Sequence, residues 1–479
     1  MLLRNTIYNL IGLGAPLLAA LVSIPMLIAA LGTDRFGLLI LIWAVVSYFG
    51  LFDLGLGRAL TQQLAVVFAG EEYERVGPLV ATASLLMAVL GVISGVLLVT
   101  ASVWGVDQMR AVPDRDEAVR AAYAMGVAMP FIVLTSGFRG ILEAKHSFGV
   151  VNAIRLPMGL FTYLGPLVGV MYVGARLDWI AAILSAGRVV ACLVHAFFAW
   201  RTLPPASRCI TFRIDLVKRL TVSGGWLTLS NVISPFMGYV DRFLIGALIS
   251  SAAVAYYSTP QEIVTKLWII PGALTTVLFP MFAAQLRSAP AVVRSLYVHA
   301  VYWIFFSVLP IAFLLAVFAE ELLAKWISRD FSNEASVLLQ IFSAGIVINC
   351  LAHVPLTLLQ SDAAFRAPAL LHCIELPFYL AILYVLTRRM GLQGAAIGWL
   401  ARMLLDTAAM FWLARKTCGL SIPWKSLRIL LLTSMACIVC FFATTISSNS
   451  LKISLATITT FACLTLAFGV LRHSRPNRF

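Results

Sequence analysis

Residues 5–58 read NTIYNLIGLGAPLLAALVSIPMLIAALGTDRFGLLILIWAVVSYFGLFDLGLGR. The stretch from 5 to 33 contains no Asp or Glu, and its apolar run from 6 to 31 exceeds the roughly 20 residues a helix needs to cross a hydrocarbon core of about 30 Å. The run is too long for a signal-peptide core. Its flank, Leu31-Gly32-Thr33-Asp34-Arg35-Phe36, leads straight into a second run from 36 to 68, so it is expected to be retained as a membrane span. The second run is long enough to tilt or break.

Working outward, the same pattern recurs along the whole chain. Apolar runs separated by polar or Pro/Gly punctuation fall at 6–31, 36–68, 78–104, 119–142, 150–174, 179–200, 221–249, 254–285, 296–319, 335–360, 366–387, 392–414, 427–446 and 453–471. Fourteen spans of an all-α polytopic membrane protein follow. Of the 479 residues 61% are hydrophobic and 12% charged, half the charge of an ordinary soluble domain, so lipid is the expected solvent.

A net charge of +14 on a soluble protein would point to nucleic acid. Topology accounts for much of it here. With a cytoplasmic N-terminus, the inner loops and tails hold eighteen Lys/Arg and the outer loops ten, so the positive-inside rule places both termini in the cytoplasm, as an even number of spans requires. No nucleic-acid partner is expected. The eight cysteines sit mostly inside apolar runs, and Cys437 and Cys440 form a CxxC without His or acidic neighbours. They read as small packed side chains, so neither a disulfide nor a metal site is expected.

A repeat divides the chain. Leu142-Glu143-Ala144-Lys145 and the following span with Arg155-Leu156-Pro157 are echoed by Leu359-Gln360-Ser361-Asp362 and a span with Glu375-Leu376-Pro377. Each is followed by a Gly/Ala-rich helix, ending in Ala186-Gly187-Arg188 and Leu400-Ala401-Arg402. Six spans per half give both halves one orientation, related by an axis along the membrane normal, with the substrate path between them. The expected organisation is an N-terminal lobe 1–200, a cytoplasmic linker 201–220, a C-terminal lobe 221–417, and an accessory helix pair with a basic tail, 418–479. Pro16 and Pro25, and Pro271 and Pro280, mark spans one and eight as kinked or as cavity walls.

Charges inside the runs carry the functional reading, because each costs about 2.5–3.5 kcal/mol at mid-bilayer and needs a partner or water. Arg139 and Glu143, Glu262 and Lys266, and Arg402 and Asp406 are each four residues apart, on one helical face. Such pairs either neutralise one another or lock helices together. Arg58 lies about 140° around a helix from Asp53, and Arg155 has no acid at helical spacing. Guanidinium groups without a local acid suit a phosphate or diphosphate, whose oxygens match their forked donors. Arg58, Arg155 and Arg242, together with Lys266, are the candidate substrate ligands. Asp53, Asp241, Glu262, Arg139, Glu143, Glu375, Arg402 and Asp406 are candidate coupling or structural groups. The sequence has no GxxxxGK[ST] loop and no large hydrophilic domain, so an ATP-driven pump or a loop-based catalytic site is not expected.

The opening Asn5 to Pro16, Pro25, Leu31-Gly32, Phe36-Gly37 and Phe52-Asp53-Leu54-Gly55-Leu56-Gly57-Arg58 resembles the start of bacterial polysaccharide-transport flippases. Gly224-Gly225-Trp226-Leu227-Thr228-Leu229-Ser230-Asn231, Asp241-Arg242-Phe243-Leu244-Ile245-Gly246, Ala255-Tyr256-Tyr257 and Leu278-Phe279-Pro280 are similar to that family's seventh and eighth helices. The resemblance covers about residues 1–420 and implies the multidrug, oligosaccharidyl-lipid and polysaccharide exporter superfamily. It implies two six-helix lobes around a cavity that opens alternately to each side. The implied cargo is an undecaprenyl-diphosphate-linked oligosaccharide, an O-antigen or exopolysaccharide repeat unit. Polysaccharide polymerase and chain-length proteins become candidate partners, and a proton or sodium ion the candidate coupling ion. By position, Asp53 and Arg58 fall in the second-helix motif, and Asp241 and Arg242 in the seventh. The commonest members have twelve spans, whereas lipid II flippases are among the fourteen-span relatives. A lipid II flippase and a cation-coupled multidrug antiporter stay as alternatives on the same fold, and a membrane sugar polymerase or ligase as one of another class.

Overall fold

The computed structural model describes residues 2–49, 55–109, 112–203, 211–217, 225–286, 288–362, 364, 366–446 and 449–473. Asp53 lies outside them, as do 204–210 and 218–220 of the expected linker. Among the described residues the regular structure is helical throughout. The elements are α1 (Leu2–Phe49), α2 (Leu56–Ala69), a 3₁₀ turn (Tyr73–Arg75), α3 (Val76–Gln108), α4 (Arg115–Ala144), α5 (Phe148–Val173), α6 (Leu177–Thr202), α7 (Gly225–Leu248) and α8 (Ser251–Thr265). A second 3₁₀ turn (Lys266–Trp268) leads to α9 (Ile269–Gln285), α10 (Pro290–Val317), α11 (Ala319–Trp326), α12 (Arg329–Ser361), α13 (Arg366–Cys418), α14 (Trp424–Ile446) and α15 (Asn449–His473). Ten of the described segments are long and apolar enough to cross a membrane. Ten is compatible with fourteen crossings, since Ala15–Val45 and Arg366–Cys418 each count once although Gly32 and Gly391 break them, and α7 and α15 are not among the ten.

The solvent of these helices is legible in α3. Leu85, Val89, Val92 and Val96 form a stripe each at least half exposed, while Ala83, Met87, Gly91, Ser94 and Gly95 are buried on the other side. The large apolar residues face outward and the small ones inward, as in helices packed within lipid. A Cβ on Gly95 would sit 2.5 Å from the carbonyl oxygen of Gly126, so the bare backbones of α3 and α4 touch.

The long helices break where backbone chemistry demands it. α1 is interrupted at Gly32 (φ 76°, ψ 164°) and α13 at Gly391 (φ 60°, ψ −138°), both conformations that an L side chain resists. Pro16 and Pro25 lie inside α1 without breaking it. Span eight breaks ahead of its proline instead. Pro271 has no N–H for the Leu267 carbonyl and its ring crowds that carbonyl, and the chain tightens to 3₁₀ geometry over Lys266–Trp268.

Two compact units result, Met1–Ala255 and Tyr256–Phe479. In the first, α4 is central, packing on α2, α3 and α6, while α5 packs on α1 and α6. Leu60, Leu64, Leu79, Met87 and Val133 fill its core. Asp114 caps α4 by accepting from the Glu117 N–H at 3.0 Å. Asp34 accepts from the Ser251 hydroxyl (2.9 Å) and the Ala252 N–H (3.2 Å) at the start of α8. At the end of the unit that carries the 174–176 connection, Glu117 pairs with Arg35 at 3.0 Å and accepts from the Leu177 N–H. Asp178 takes Arg120 and Arg176, and its carboxylate holds the Arg176 guanidinium above its ordinary pKa.

In the second unit α12 packs along α10 and α13. Phe342 stands edge-on to Tyr257 (5.0 Å, 90°) and Trp399 (5.2 Å, 86°). Ser328 caps α12, accepting from the Phe331 N–H at 3.1 Å. The terminal pair α14 and α15 lies against α10, with Lys452 2.6 Å from Glu321 and the Cys437 and Cys463 sulfurs 3.6 Å apart.

Candidate functional site

In the first unit three arginines from three consecutive helices converge. Arg139 on α4, Arg155 on α5 and Arg188 on α6 line a cavity of about 280 Å³ together with Thr135, Thr162 and His195. Arg139 lies 3.5 Å from Glu143, the neighbour expected from their spacing. Arg188 donates to the Thr162 hydroxyl at 3.2 Å. Arg155 is exposed and has no hydrogen-bond or ion-pair partner among the described residues. His195 is buried with Nδ1 2.8 Å from the Ala191 carbonyl. A carbonyl can only accept, so Nδ1 carries a proton. The convergence follows from the short 145–147 connection, which returns α5 beside α4, and from the packing of α6 on both. Three arginines and no acid are among the described lining residues, and only Arg139 pairs with Glu143 beside them, so the cavity is positive, with forked donors from three helices.

The other sequence-derived ligands fare differently. Arg58, in the first turns of α2, is exposed and is not a lining residue of this cavity. Arg242 is 5% exposed, its guanidinium 5.1 Å from the ring of Tyr239, and the adjacent Asp241 is fully buried with its carboxylate accepting from the Arg242 N–H. Such packing suits a structural role. Lys266 is paired with Glu262 at 2.9 Å, as spacing anticipates, and both side chains stay partly exposed.

The second unit has its own polar core. On either side of the Gly391 break in α13, Arg402 lies 3.2 Å from Glu375, and Asp406 lies 3.7 Å from His372. The Arg402 guanidinium also sits 5.1 Å from the Tyr379 ring. Glu375 and Arg402 side chains are about nine-tenths buried, and one oxygen of each carboxylate, Glu375 Oε2 and Asp406 Oδ1, has no hydrogen-bond donor among the described residues. Ligand-type atoms of His372, Glu375 and Asp406 lie within 4.8 Å of one another, close enough to share a cation. Arg402 on Glu375 already supplies one positive charge, which favours a proton over a metal ion there. The sequence pattern points to Glu375, Arg402 and Asp406 but not to His372, which has no charged residue at helical spacing to single it out other than Glu375. Arg188 enters the sequence pattern only as the end of the repeated Gly/Ala-rich helix.

The chain matches the family model described as polysaccharide biosynthesis protein over residues 2–285. It is 29% identical over 420 residues to a Shigella flexneri protein named "Putative O-antigen transporter", covering 87% of this chain and 99% of that one. Among solved structures it resembles the lipid II flippase MurJ in an inward closed conformation, with a TM-score of 0.66 at 11% identity over 91% of this chain and 97% of that one. It also resembles a MATE transporter in a bent conformation, with a TM-score of 0.60 at 15% identity over 87% and 94% of the two chains. The chain therefore belongs to the polysaccharide biosynthesis protein family, a multi-pass membrane protein with the fold of those transporters.

Proposed function

We propose that this protein is a flippase that carries an undecaprenyl-diphosphate-linked oligosaccharide, an O-antigen or exopolysaccharide repeat unit, from the cytoplasmic to the periplasmic leaflet. The observation that carries the reading is the cavity lined by Arg139, Arg155 and Arg188. A diphosphate is the ligand whose charge and oxygens match such a cavity, and the relative named for O-antigen transport agrees with it. With both termini cytoplasmic in an inner membrane, Arg139 lies five residues and Arg155 seven from the cytoplasmic ends of α4 and α5, about 8–10 Å along the helix. The cavity then sits in the half of the bilayer from which the cargo must be taken. The polyprenyl tail stays in lipid while the two six-helix lobes, 1–200 and 221–417, rock about the 201–220 connector.

The outward step needs little coupling energy. An anion leaving a negative interior gains about 2.3 kcal/mol per charge per 100 mV. Return of the empty carrier is where a proton or sodium ion would bind, and the cluster of His372, Glu375, Arg402 and Asp406 is the candidate acceptor. Polymerase and chain-length proteins are natural recipients of the delivered unit.

The test is leaflet exposure in the native host, read with a membrane-impermeant sugar-oxidising reagent. Deleting the gene, or replacing it with the Arg155→Gln/Arg188→Gln variant at normal expression, should leave intact lipid-linked oligosaccharide facing the cytoplasm. Normal outward exposure in the deletion strain would falsify the proposal.

A further inference from the structure

We infer that the 3₁₀ turn between α8 and α9 carries a sugar-binding subsite, with the indole of Trp268 as its stacking platform. The inference rests on the flippase reading and adds to it the place where the glycan, as distinct from the diphosphate, is held.

Trp268 is seventeen residues from each end of the Ser251–Gln285 span, about 25 Å along the helix either way. It is thus at mid-depth, far from the interfacial belts where membrane tryptophans usually sit. No residue of the turn is buried. A break in helical geometry at that depth survives only within protein or against water. The Glu262–Lys266 pair points to water, because its side chains keep 34% and 39% of their surface exposed where lipid contact would be costly.

The indole is held rigidly. Its Nε1–H donates to Asn349 Oδ1 at 2.9 Å, and the ring of His353 lies 6.5 Å away at 48°. Both partners come from α12, so the ring is fixed by a second helix while the residue stays 39% exposed. An immobilised aromatic surface bordered by the Asn349 amide and the His353 imidazole is unsuited to a purely apolar ligand. Nor does it suit a cationic one, since Lys266 already neutralises Glu262. A pyranose fits both features. One face of the ring presents C–H bonds whose partial positive charge complements the negative face of the indole, and its hydroxyls reach outward to polar groups.

The experiment uses the full-length protein in lipid nanodiscs and two probes: lipid-linked oligosaccharide extracted from the native host, and undecaprenyl diphosphate bearing no sugar. Trp268→Leu should weaken binding of the first about tenfold, equivalent to about 1.4 kcal/mol, and leave the second within about twofold. Trp268→Phe, which keeps an aromatic face, should recover most of the loss, and Arg155→Gln should weaken both probes alike. The subsite is overturned if Trp268→Leu weakens both probes in parallel or neither, or if Trp268→Phe is as damaging as Trp268→Leu. It is also overturned, with the flippase reading intact, if wild-type protein binds both probes equally. Wild-type protein that binds neither overturns both readings.

Discussion

Arg155 and Arg242 bear the same charge inside apolar runs, and their surroundings separate them. Arg155 lines a cavity beside two further guanidinium groups, whereas Arg242 is buried beside Tyr239. Arg155→Gln removes charge-assisted hydrogen bonds worth about 1.5–3 kcal/mol to a bound anion, so leaflet flux should fall about ten- to a hundredfold with the melting temperature unchanged. Arg242→Gln should do the opposite, lowering thermal stability in detergent before it alters apparent substrate affinity. Glu375 offers a sharper case. Glu375→Gln strands Arg402 in a pocket where both side chains are about nine-tenths buried, a loss of about 3–5 kcal/mol. The double variant Glu375→Leu/Arg402→Met should regain most of that stability in the same melting assay. If the single variant melts like wild type, the pair does not hold the two parts of α13 together.

At the scale of elements, the breaks in α1 and α13 are properties of single glycines. Gly391 has φ 60° and ψ −138°, so Gly391→Ala should cost on the order of 1–3 kcal/mol. Gly272 lies inside α9 with open space around its Cα. Gly272→Ala should be neutral or stabilising by up to about 1 kcal/mol, since alanine is the better helix former. Comparing the two melting curves separates a required break from an incidental glycine. The 3₁₀ turn follows the same logic by another residue. Pro271 was legible as an interruption and accounts for the break over Lys266–Trp268, but that Trp268 is then clamped by α12 depends on a contact 81 residues away.

For the whole molecule, the proposed anionic cargo would make transport respond to membrane potential. Collapsing the potential with valinomycin and potassium should slow outward flux in proteoliposomes, and a flux indifferent to potential would mean that the charge is compensated during transfer. The terminal pair α14 and α15 packs on α10 and ties Lys452 to Glu321 at 2.6 Å, yet it lies outside the repeat. Truncation after residue 420 should therefore reduce yield and thermal stability while leaving flux per folded molecule within about twofold. A complete loss of flux in well-folded truncated protein would give these helices a part in transport.

Sequence alone determined the solvent, the class and the family, because apolar run length and intramembrane charge are local quantities that lipid makes costly to violate. It also anticipated the Arg139–Glu143 and Glu262–Lys266 pairs, which depend only on 3.6 residues per turn. Which arginines act together was decided by tertiary structure. Arg139, Arg155 and Arg188 meet because α4, α5 and α6 pack on one another, and no spacing along the chain encodes that meeting. Arg402 likewise looked pairable with Asp406 by spacing, but reaches Glu375, with Asp406 beside His372, because the break at Gly391 folds the two parts of α13 together. A charge inside a membrane announces that it has a partner, and the partner's identity is set by packing between helices.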